Sequence, residues 1–522
     1  MVFSSLIFLF VFLTANLIAY FAVSPEKRNN VLLIFSLVFY AWGGPRYLLL
    51  LAGETLVSWL FAIRIDEARA GYTKRSEKFY LVCDLVIMLG CLAIFKYLGF
   101  FLGNIKAVFG VPKTVPGIAL PIGISFYTFQ LISYVVDVYR NEVRPQREYW
   151  KLLLYSSLFH QCIAGPIVRY ETVADQIDNR EITANDIYMG LRRFSVGLAK
   201  KAILANSCAS IADTLLPAGV ASLKAQTTLG MWIGMIAYML QIYLDFSAYS
   251  DMAIGMGRMV GFHYDENFNY PYMATSVNNF WRRWHISLSS FFRDYVYIPL
   301  GGNRCSTAKY IRNMAIVWFL TGMWHGASWN YIFWGIYYLG FLLLEKFYLG
   351  GRLGPVASRI YTLLVILFGW TIFRFESLRE LGTVLAGMFG IGTSGFANMA
   401  LGTIFVKNIF FLIFACIACT DLGKRLRKWA IEVGKVNPLV FNVFNVTEMI
   451  TPVLMLVISV LALVVQAIIL PVFPVLMGDF YEEKIYQKSE TTIKEIQNSG
   501  CSYICRSHGD RSIYWSAVFC QT

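Results

Sequence analysis

Long apolar stretches separated by short charged loops run through most of the chain. The first extends over residues 1–23, and others include residues 79–101, 361–373, 404–420 and 450–472. An apolar helix of about 20 residues is long enough to cross the hydrocarbon of a bilayer. The pattern therefore predicts an all-α, polytopic membrane protein with roughly 11 to 13 membrane segments, some re-entrant or broken at Gly and Pro. We expect residues 1–23 to be an uncleaved span, because no basic residues precede them.

Composition and charge support this class. Of the 522 residues, 57% are hydrophobic and 15% are charged, whereas soluble domains average about 25% charged residues. Basic residues are concentrated in alternate loops, at positions 27–28, 64–78 and 140–151. The positive-inside rule predicts that these loops are cytoplasmic. This topology accounts for the net charge of +13 without a nucleic-acid partner.

The chain divides into two regions. Residues 1–476 are predicted to form the transmembrane domain, and the polar residues 477–522 to form a disordered or peripheral tail that activity does not need. Within the domain, Gly165-Pro166 interrupts an apolar segment and predicts a broken helix. Basic and apolar residues alternate from Asp186 to Leu204, which predicts an amphipathic cytoplasmic helix at the level of the lipid headgroups.

One histidine, His325, lies in a run of 32 uncharged residues at positions 313–344. As one helix the run would be about 48 Å long, against a hydrocarbon core of about 30 Å. Gly322, Gly326 and Asn330 offer a break, which would place His325 at a bend near the middle of the membrane, facing a cavity. Burial there would keep the imidazole neutral and able to act as a general base. The alternative is a structural histidine that is hydrogen-bonded to a carbonyl or a serine.

A second histidine follows a basic aromatic sequence, Trp281-Arg282-Arg283-Trp284-His285. The indoles are expected at headgroup level, with the arginines reaching phosphates. All four residues before the histidine are candidates for binding an anionic cofactor such as coenzyme A, and ordinary membrane anchoring is the alternative. His285 itself could be a spectator, an orienting partner or part of a tunnel wall.

Four other charged residues lie on apolar segments. Lys96 and Asp137 are near segment ends, where the side chain is expected to reach toward the interface. Asp245 and Asp251 are six positions apart and so do not share a helical face. We expect a single buried Asp bonded to Tyr, Ser or Arg rather than a catalytic pair of carboxylates. The ten cysteines show no metal-ligand spacing, and no metal site is predicted.

Several motifs of the first 350 residues resemble the membrane-bound O-acyltransferase family, in particular its bacterial branch of alginate and peptidoglycan O-acetyltransferase membrane components. The segments that carry the resemblance are Met1–Ser5, Ile122–Gln130, Ile163–Tyr170, Leu244–Asp251, Asn279–His285 and Gly322–Gly326.

The resemblance implies a helical core around a transmembrane tunnel in a bacterial inner membrane. By motif position, His325 corresponds to the family's essential histidine and His285 to its second polar residue. The resemblance also implies acetyl-CoA as a co-substrate without a tightly bound cofactor, an extracytoplasmic acetyltransferase partner and a polysaccharide acceptor. D-alanyl transfer toward teichoic acid and a non-enzymatic transporter are the alternative functions.

Overall fold

The computed structural model describes residues 1–110, 119–162 and 165–466, and the described part of the chain is helical without strands. We number its α-helices α1 to α21 in chain order. The predicted tail, residues 477–522, lies outside the described residues.

The first seven helices precede the non-helical segment that contains Gly165-Pro166, and the eighth follows it. They are α1 (Thr14–Ala22), α2 (Arg28–Trp42), α3 (Pro45–Arg69), α4 (Glu77–Leu92), α5 (Leu98–Phe109), α6 (Ile124–Tyr139), α7 (Tyr149–Ser157) and α8 (Tyr170–Asp178). A π-helical turn, Ala93–Tyr97, joins α4 to α5, and another, Phe8–Leu13, precedes α1.

The next six helices include Thr228–Met259, a span of which 67% is buried inside the protein. They are α9 (Ala184–Ala199), α10 (Asn206–Leu215), α11 (Val220–Lys224), α12 (Thr228–Met259), α13 (Val277–Trp281) and α14 (Ile286–Phe292). The π-helical turn Lys200–Ala205 connects α9 to α10, and Arg293–Tyr297 extends α14.

The last seven helices complete the described chain. They are α15 (Thr307–His325), α16 (Trp329–Leu344), α17 (Pro355–Arg374), α18 (Leu378–Met388), α19 (Met399–Ala418), α20 (Leu422–Gly434) and α21 (Pro438–Val464).

Seven helical segments of the described residues are long and apolar enough to cross a membrane. They are Pro45–Arg69, Glu77–Phe109, Thr228–Met259, Trp329–Leu349, Pro355–Arg374, Met399–Ala418 and Pro438–Val464. The all-α membrane architecture is confirmed, whereas the count of 11 to 13 segments is not. The first apolar segment forms a shorter helical stretch, Phe8–Ala22.

The predicted cytoplasmic loops meet at one end of the helices, which we call the basic face. Arg69 donates to the Val138 and Tyr139 carbonyls at 2.9 and 2.8 Å, joining the second basic loop to the third. Lys151 forms an ion pair with Asp178 at 2.8 Å, which brings the end of α8 to the same face. These contacts agree with the loop pairing that the positive-inside rule predicts.

The segment that begins at Asp186 forms a helix, as its amphipathic pattern predicts. This helix, α9, packs antiparallel along α12, with the backbones in close contact at Gly190 and Gly255. A methyl group on Gly190 would lie 2.7 Å from the Gly255 carbonyl oxygen, and one on Gly255 would lie 2.7 Å from the Gly190 oxygen. Ion pairs join the polar face of α9 to α12, through Asp251 and Arg258, and to α21, through Glu448. Its level relative to the lipid headgroups stays a prediction.

The segment between α7 and α8 is the broken helix that the Gly-Pro sequence predicts. Its described residues, 158–162 and 165–169, are non-helical and mostly buried. The Tyr155 hydroxyl donates to the Val168 carbonyl at 2.9 Å, and Ser287 Oγ accepts from the Ile167 amide at 3.0 Å. Irregular backbone at this depth is therefore satisfied by protein groups, as it must be inside a membrane.

Candidate active site

The uncharged run around His325 folds as a helical hairpin. The predicted break is confirmed, since α15 ends at His325 and α16 begins at Trp329. The two helices then run antiparallel: a methyl on Gly322 would lie 2.4 Å from the Tyr331 carbonyl oxygen, and one on Gly335 would lie 2.4 Å from that of Trp318. His325 is therefore at the tip of a hairpin. With a rise of 1.5 Å per residue, the tip lies about 27 Å from the start of α15.

Aromatic rings enclose the His325 side chain. Its ring centroid lies 4.8 Å from Trp324, 4.9 Å from Trp334, 5.0 Å from Phe373 and 6.3 Å from Tyr331. Among the described residues, no group hydrogen-bonds to either of its ring nitrogens. The alternative of a structural histidine tied to a carbonyl or a serine therefore has no support in the described structure.

His285 also packs against Trp324. Its side chain is 1% exposed, and its ring is 5.6 Å from the Trp324 ring and 4.7 Å from Phe246. Nδ1 lies 3.1 Å from Oδ1 of Asn267, whereas Nε2 is buried without a partner in the described structure. The two candidate histidines are thus brought together, and both rings contact the Trp324 indole.

Lys96 contacts the hairpin tip directly. Its side-chain nitrogen donates to the backbone carbonyl of Trp324 and to Ser125 Oγ, the latter at 3.0 Å. The prediction that Lys96 reaches a membrane interface is wrong, because the helix continues through α5 to Phe109 and the ammonium turns inward. Tyr97 donates to the Met323 carbonyl at 2.7 Å. Two adjacent side chains therefore hold the last turn before His325.

A cavity of 1020 Å³ lies beside His285. Its polar and charged wall residues include Arg193, Lys200, Ser250, Asp251, Glu266, Asn267 and Lys424. Apolar wall comes from α19, with Phe410, Phe411 and Phe414. Asn267, which contacts His285, and Ile286, which follows it in the chain, are also wall residues.

The charges in this cavity are largely balanced. Arg193 binds Glu266 in a bidentate pair at 2.5 and 2.6 Å and also binds Asp251 at 2.7 Å. Lys200 binds the other oxygen of Asp251 at 2.6 Å. These carboxylates hold the pKa of the Arg193 guanidinium above its usual value, although burial opposes them. The inner wall is therefore polar without a large net charge.

The residues before His285 are distributed over several environments. Trp281 and Trp284 point inward: their rings lie 5.4 Å from Trp334 and 4.8 Å from Trp370, respectively. These indoles contribute to the aromatic core around the hairpin, and their level relative to the lipid headgroups stays a prediction. Their assignment to cofactor binding remains a prediction.

The two arginines of that sequence separate. Arg282 is exposed and lines a second cavity of 770 Å³, together with Arg293, Glu345 and Lys346. Arg283 donates to Asn279 Oδ1 at 3.0 Å and to the carbonyl of Asn269 at 3.2 Å. Neither forms an ion pair within the described residues, so both stay candidates for binding an anionic group.

The carboxylates of α12 have structural partners, as predicted. Asp251 binds Arg193 and Lys200, and Asp245 binds Lys201 at 2.7 Å. Asp137, the other charged residue expected near a segment end, accepts hydrogen bonds from Tyr295 at 2.7 and 2.9 Å. No group of metal-ligating side chains is found within the described ranges.

Sequence reasoning missed Asn267 and the role of Lys96. Asn267 is in a loop, 18 positions before His285, and belongs to no periodic pattern. Lys96 carried a usable signal, because it lies 19 residues after Glu77, which is about 28 Å along a helix. A lysine so far into an apolar helix is expected to contact a functional group.

Comparison with known proteins assigns the family. The model of the membrane-bound O-acyltransferase family, MBOAT, matches residues 146–353, which include both histidines. The Pseudomonas aeruginosa protein named "Probable alginate O-acetylase AlgI" is 39% identical over 433 residues, which cover 81% of this chain and 82% of that protein. The chain belongs to the membrane-bound O-acyltransferase family.

Two further relatives resemble this MBOAT protein over different shares of its length. The "Peptidoglycan O-acetyltransferase" of Helicobacter pylori is 32% identical over 429 residues, 75% of this chain and 80% of that protein. The "Teichoic acid D-alanyltransferase" of Bacillus subtilis is 29% identical over 238 residues, 44% of this chain and 59% of that protein. The MBOAT protein is thus a multi-pass membrane enzyme of the acyltransferase class, and its resemblance to O-acetyltransferases extends over more of the chain.

Proposed function

We propose that this MBOAT protein takes an acetyl group from a cytoplasmic thioester, acetyl-CoA, and passes it across a bacterial inner membrane for O-acetylation of an exported or cell-envelope polysaccharide. The observation that carries the proposal is the placement of His325. Its ring is at a hairpin tip about 27 Å from the basic end of α15, is enclosed by aromatic rings and has free nitrogens among the described residues.

In the proposed reaction His325 is the general base. A neutral imidazole nitrogen accepts the proton of an acceptor hydroxyl, and the hydroxyl oxygen attacks the thioester carbonyl carbon. A C–O bond forms and the C–S bond breaks, and the proton held by His325 passes to the departing thiolate sulfur. The aromatic walls exclude water, which would otherwise compete with the acceptor hydroxyl and hydrolyse the thioester.

The acyl donor is assigned to the 1020 Å³ cavity. Because its inner charges are paired, it suits the uncharged thioester arm of coenzyme A better than the phosphates. Lys424 at its wall and Arg283, which donates to the carbonyl of the wall residue Asn269, offer cations for the phosphate groups. Arg282, which lines the second cavity, is a further candidate. The thioester would then approach His285 from one side while the acceptor reaches His325 from the other.

The acceptor and the partner follow from the relatives. The names of the Pseudomonas and Helicobacter proteins specify alginate and peptidoglycan, so we assign a carbohydrate hydroxyl as the final acceptor. An extracytoplasmic acetyltransferase is the proposed partner that completes the transfer to the polymer.

Substitution of the proposed base tests the function. His325→Ala is expected to abolish O-acetylation of the cell's polysaccharide while the protein remains in the membrane. The matched control is His263→Ala, since the His263 side chain is 54% exposed and contacts Asp186 on α9 at 3.6 Å. Acetylation at the wild-type level in His325→Ala would exclude the general-base assignment.

A second experiment tests the donor. Membranes that contain the protein and its acceptor system are given labelled acetyl-CoA, and labelled acetyl ester is measured. Label transfer that requires a carrier-protein thioester would instead favour a reaction of the D-alanyl type, as in the more distant Bacillus relative.

A further inference from the structure

Several hydrogen bonds at His285 converge on one atom, Oδ1 of Asn267. This oxygen accepts the backbone N–H of Ser287 at 3.2 Å and its hydroxyl at 2.9 Å, and it lies 3.1 Å from Nδ1 of His285. The other end of the amide donates to Ser250 Oγ at 3.1 Å. Asn267 is fully buried, and its backbone carbonyl accepts from the Ile286 amide at 2.9 Å.

The same loop holds His285 in an unusual backbone conformation. His285 has φ 44° and ψ 58°, in the left-handed region, which costs a non-glycine residue on the order of 1 kcal/mol. Asn267 forms hydrogen bonds with Ile286 and Ser287, the two residues after His285, and these bonds stabilise the turn. They direct the imidazole toward Asn267 on one side and toward Trp324 on the other.

The chemistry of these groups fixes the proton on His285. A backbone N–H can only donate, so the Asn267 atom that faces the Ser287 amide must be the oxygen and not the NH₂ group. The same oxygen can only accept, and it lies 3.1 Å from Nδ1 of His285, where a lone pair on Nδ1 would be repelled. Nδ1 also lies 3.4 Å from the Ser287 hydroxyl, but that hydroxyl uses its hydrogen in the shorter bond to Asn267 Oδ1 at 2.9 Å. Nδ1 of His285 therefore carries a hydrogen. A neutral imidazole has one such hydrogen, and Nε2 therefore carries the lone pair.

We propose that Asn267 is a positioning residue that fixes His285 as the Nδ1–H tautomer and leaves Nε2 as a hydrogen-bond acceptor for the substrate. The inference rests on the proposed function and deepens it. Nε2 is buried without a partner in the described structure, and the Trp324 ring lies 5.6 Å from the His285 ring and 4.8 Å from the His325 ring. A neutral His285 then cannot donate to the oxyanion of the tetrahedral intermediate. Its ligand is an O–H or S–H group, the acceptor hydroxyl or the departing thiol.

Two substitutions separate this role from a merely structural one. Asn267→Asp keeps an oxygen for Nδ1 and for both Ser287 donors, whereas Asn267→Ala removes it. Asn408→Ala is the matched control, because the Asn408 amide donates only within its own helix, to the Ile404 carbonyl at 2.9 Å.

The first readout is the tautomer itself, measured by ¹⁵N NMR on the full-length protein with labelled histidine, with the His285 signals assigned by their loss in His285→Gln. We expect the Nδ1–H form in the wild type, in Asn267→Asp and in Asn408→Ala, and a mixture of tautomers in Asn267→Ala. An Nε2–H form in the wild type would overturn the proposal, and so would an unchanged tautomer in Asn267→Ala. This readout does not depend on acetyl transfer, so it distinguishes failure of this inference from failure of the proposed function.

The second readout is the rate of acetyl transfer. Asn267→Ala is expected to lower kcat at least ten-fold with KM for the thioester changed less than three-fold, and Asn267→Asp to recover most of the loss. Equal losses in both variants would overturn the positioning role. If Asn267→Ala does not fold, the tautomer of His285 in the wild type and the rate of acetyl transfer in Asn267→Asp still test the proposal.

Discussion

The contact at the hairpin predicts that Gly322→Ala inactivates the enzyme. The added methyl would lie 2.4 Å from the Tyr331 carbonyl oxygen, whereas Cβ contacts below 3.0 Å essentially never occur and 3.4 Å begins the ordinary range. Because the obstacle is backbone and not a flexible side chain, α15 and α16 must separate by roughly 0.6 to 1 Å. Overpacking of this kind costs about 1 to 3 kcal/mol.

The displacement is close to the reacting groups, since His325 is three residues farther along the same helix. A misplacement of about 1 Å lowers a rate on the order of 100-fold, so we expect transfer to fall by about two orders of magnitude and the melting temperature in detergent to fall as well. The assay is transfer of labelled acetyl groups in membranes with matched protein levels.

Gly340→Ala is the control for this prediction. Gly340 is on α16, and a methyl group there would meet no atom within 4 Å. Both substitutions gain the same helix propensity, about 1 kcal/mol, so the difference between them isolates the contact between the helices. A Gly322→Ala enzyme that transfers acetyl groups as fast as Gly340→Ala would refute the close-packed hairpin.

Three further predictions concern other parts of the chain. Lys96→Met removes the hydrogen-bond donor to Trp324 and Ser125. We expect the rate of acetyl transfer to fall at least ten-fold, since a charged hydrogen bond contributes about 1.5 to 3 kcal/mol. Lys106 is exposed, so the control variant Lys106→Met should transfer acetyl groups at the normal rate. Hydrogen bonds from Thr183 and the nearby Arg258 lower the pKa of Asp186 to about 2. The stability from its charge at the start of α9, about 0.3 to 1 kcal/mol, is present above pH about 4 and lost as the pH falls toward 2. The difference in melting temperature between wild type and Asp186→Asn should shrink over that interval, and a constant difference would contradict the assignment. Truncation after residue 478 should spare acetyl transfer, and loss of transfer in a stably expressed truncation would refute a dispensable tail.

The sequence was sufficient to predict the break at His325, because a run of 32 uncharged residues is too long for one span. It did not predict that the halves fold back on each other. Gly322 and Gly335 are visible in the sequence, but only their position against the facing carbonyls distinguishes a hairpin from a bend.

The partners of α9 and of Lys96 could not be predicted from the sequence. An amphipathic pattern records that one face of a helix meets polar groups and does not say which groups they are. In the structure, the carboxylates of Asp251 on α12 and Glu448 on α21 are among those that meet α9. Lys96 is five residues from the end of the apolar segment at residue 101, but the helix continues to Phe109, so its side chain turns inward to Trp324.

Asn267 could not be found by pattern at all. Its contacts to His285 and Ser287 span 18 and 20 positions of the chain, and a loop asparagine has many possible partners. Its role becomes visible only when the donors around its amide oxygen are placed in three dimensions.

The helical hairpin also limits how the chain can change in length. One residue inserted into α15 after Gly322 would rotate the imidazole by about 100° around the helix axis and carry it away from Trp334 and Phe373. The exposed turn at residues 350–354, which follows the extension of α16, has no such register to maintain. Insertions and deletions among natural variants of this enzyme should therefore be absent between residues 318 and 335 and tolerated in that turn.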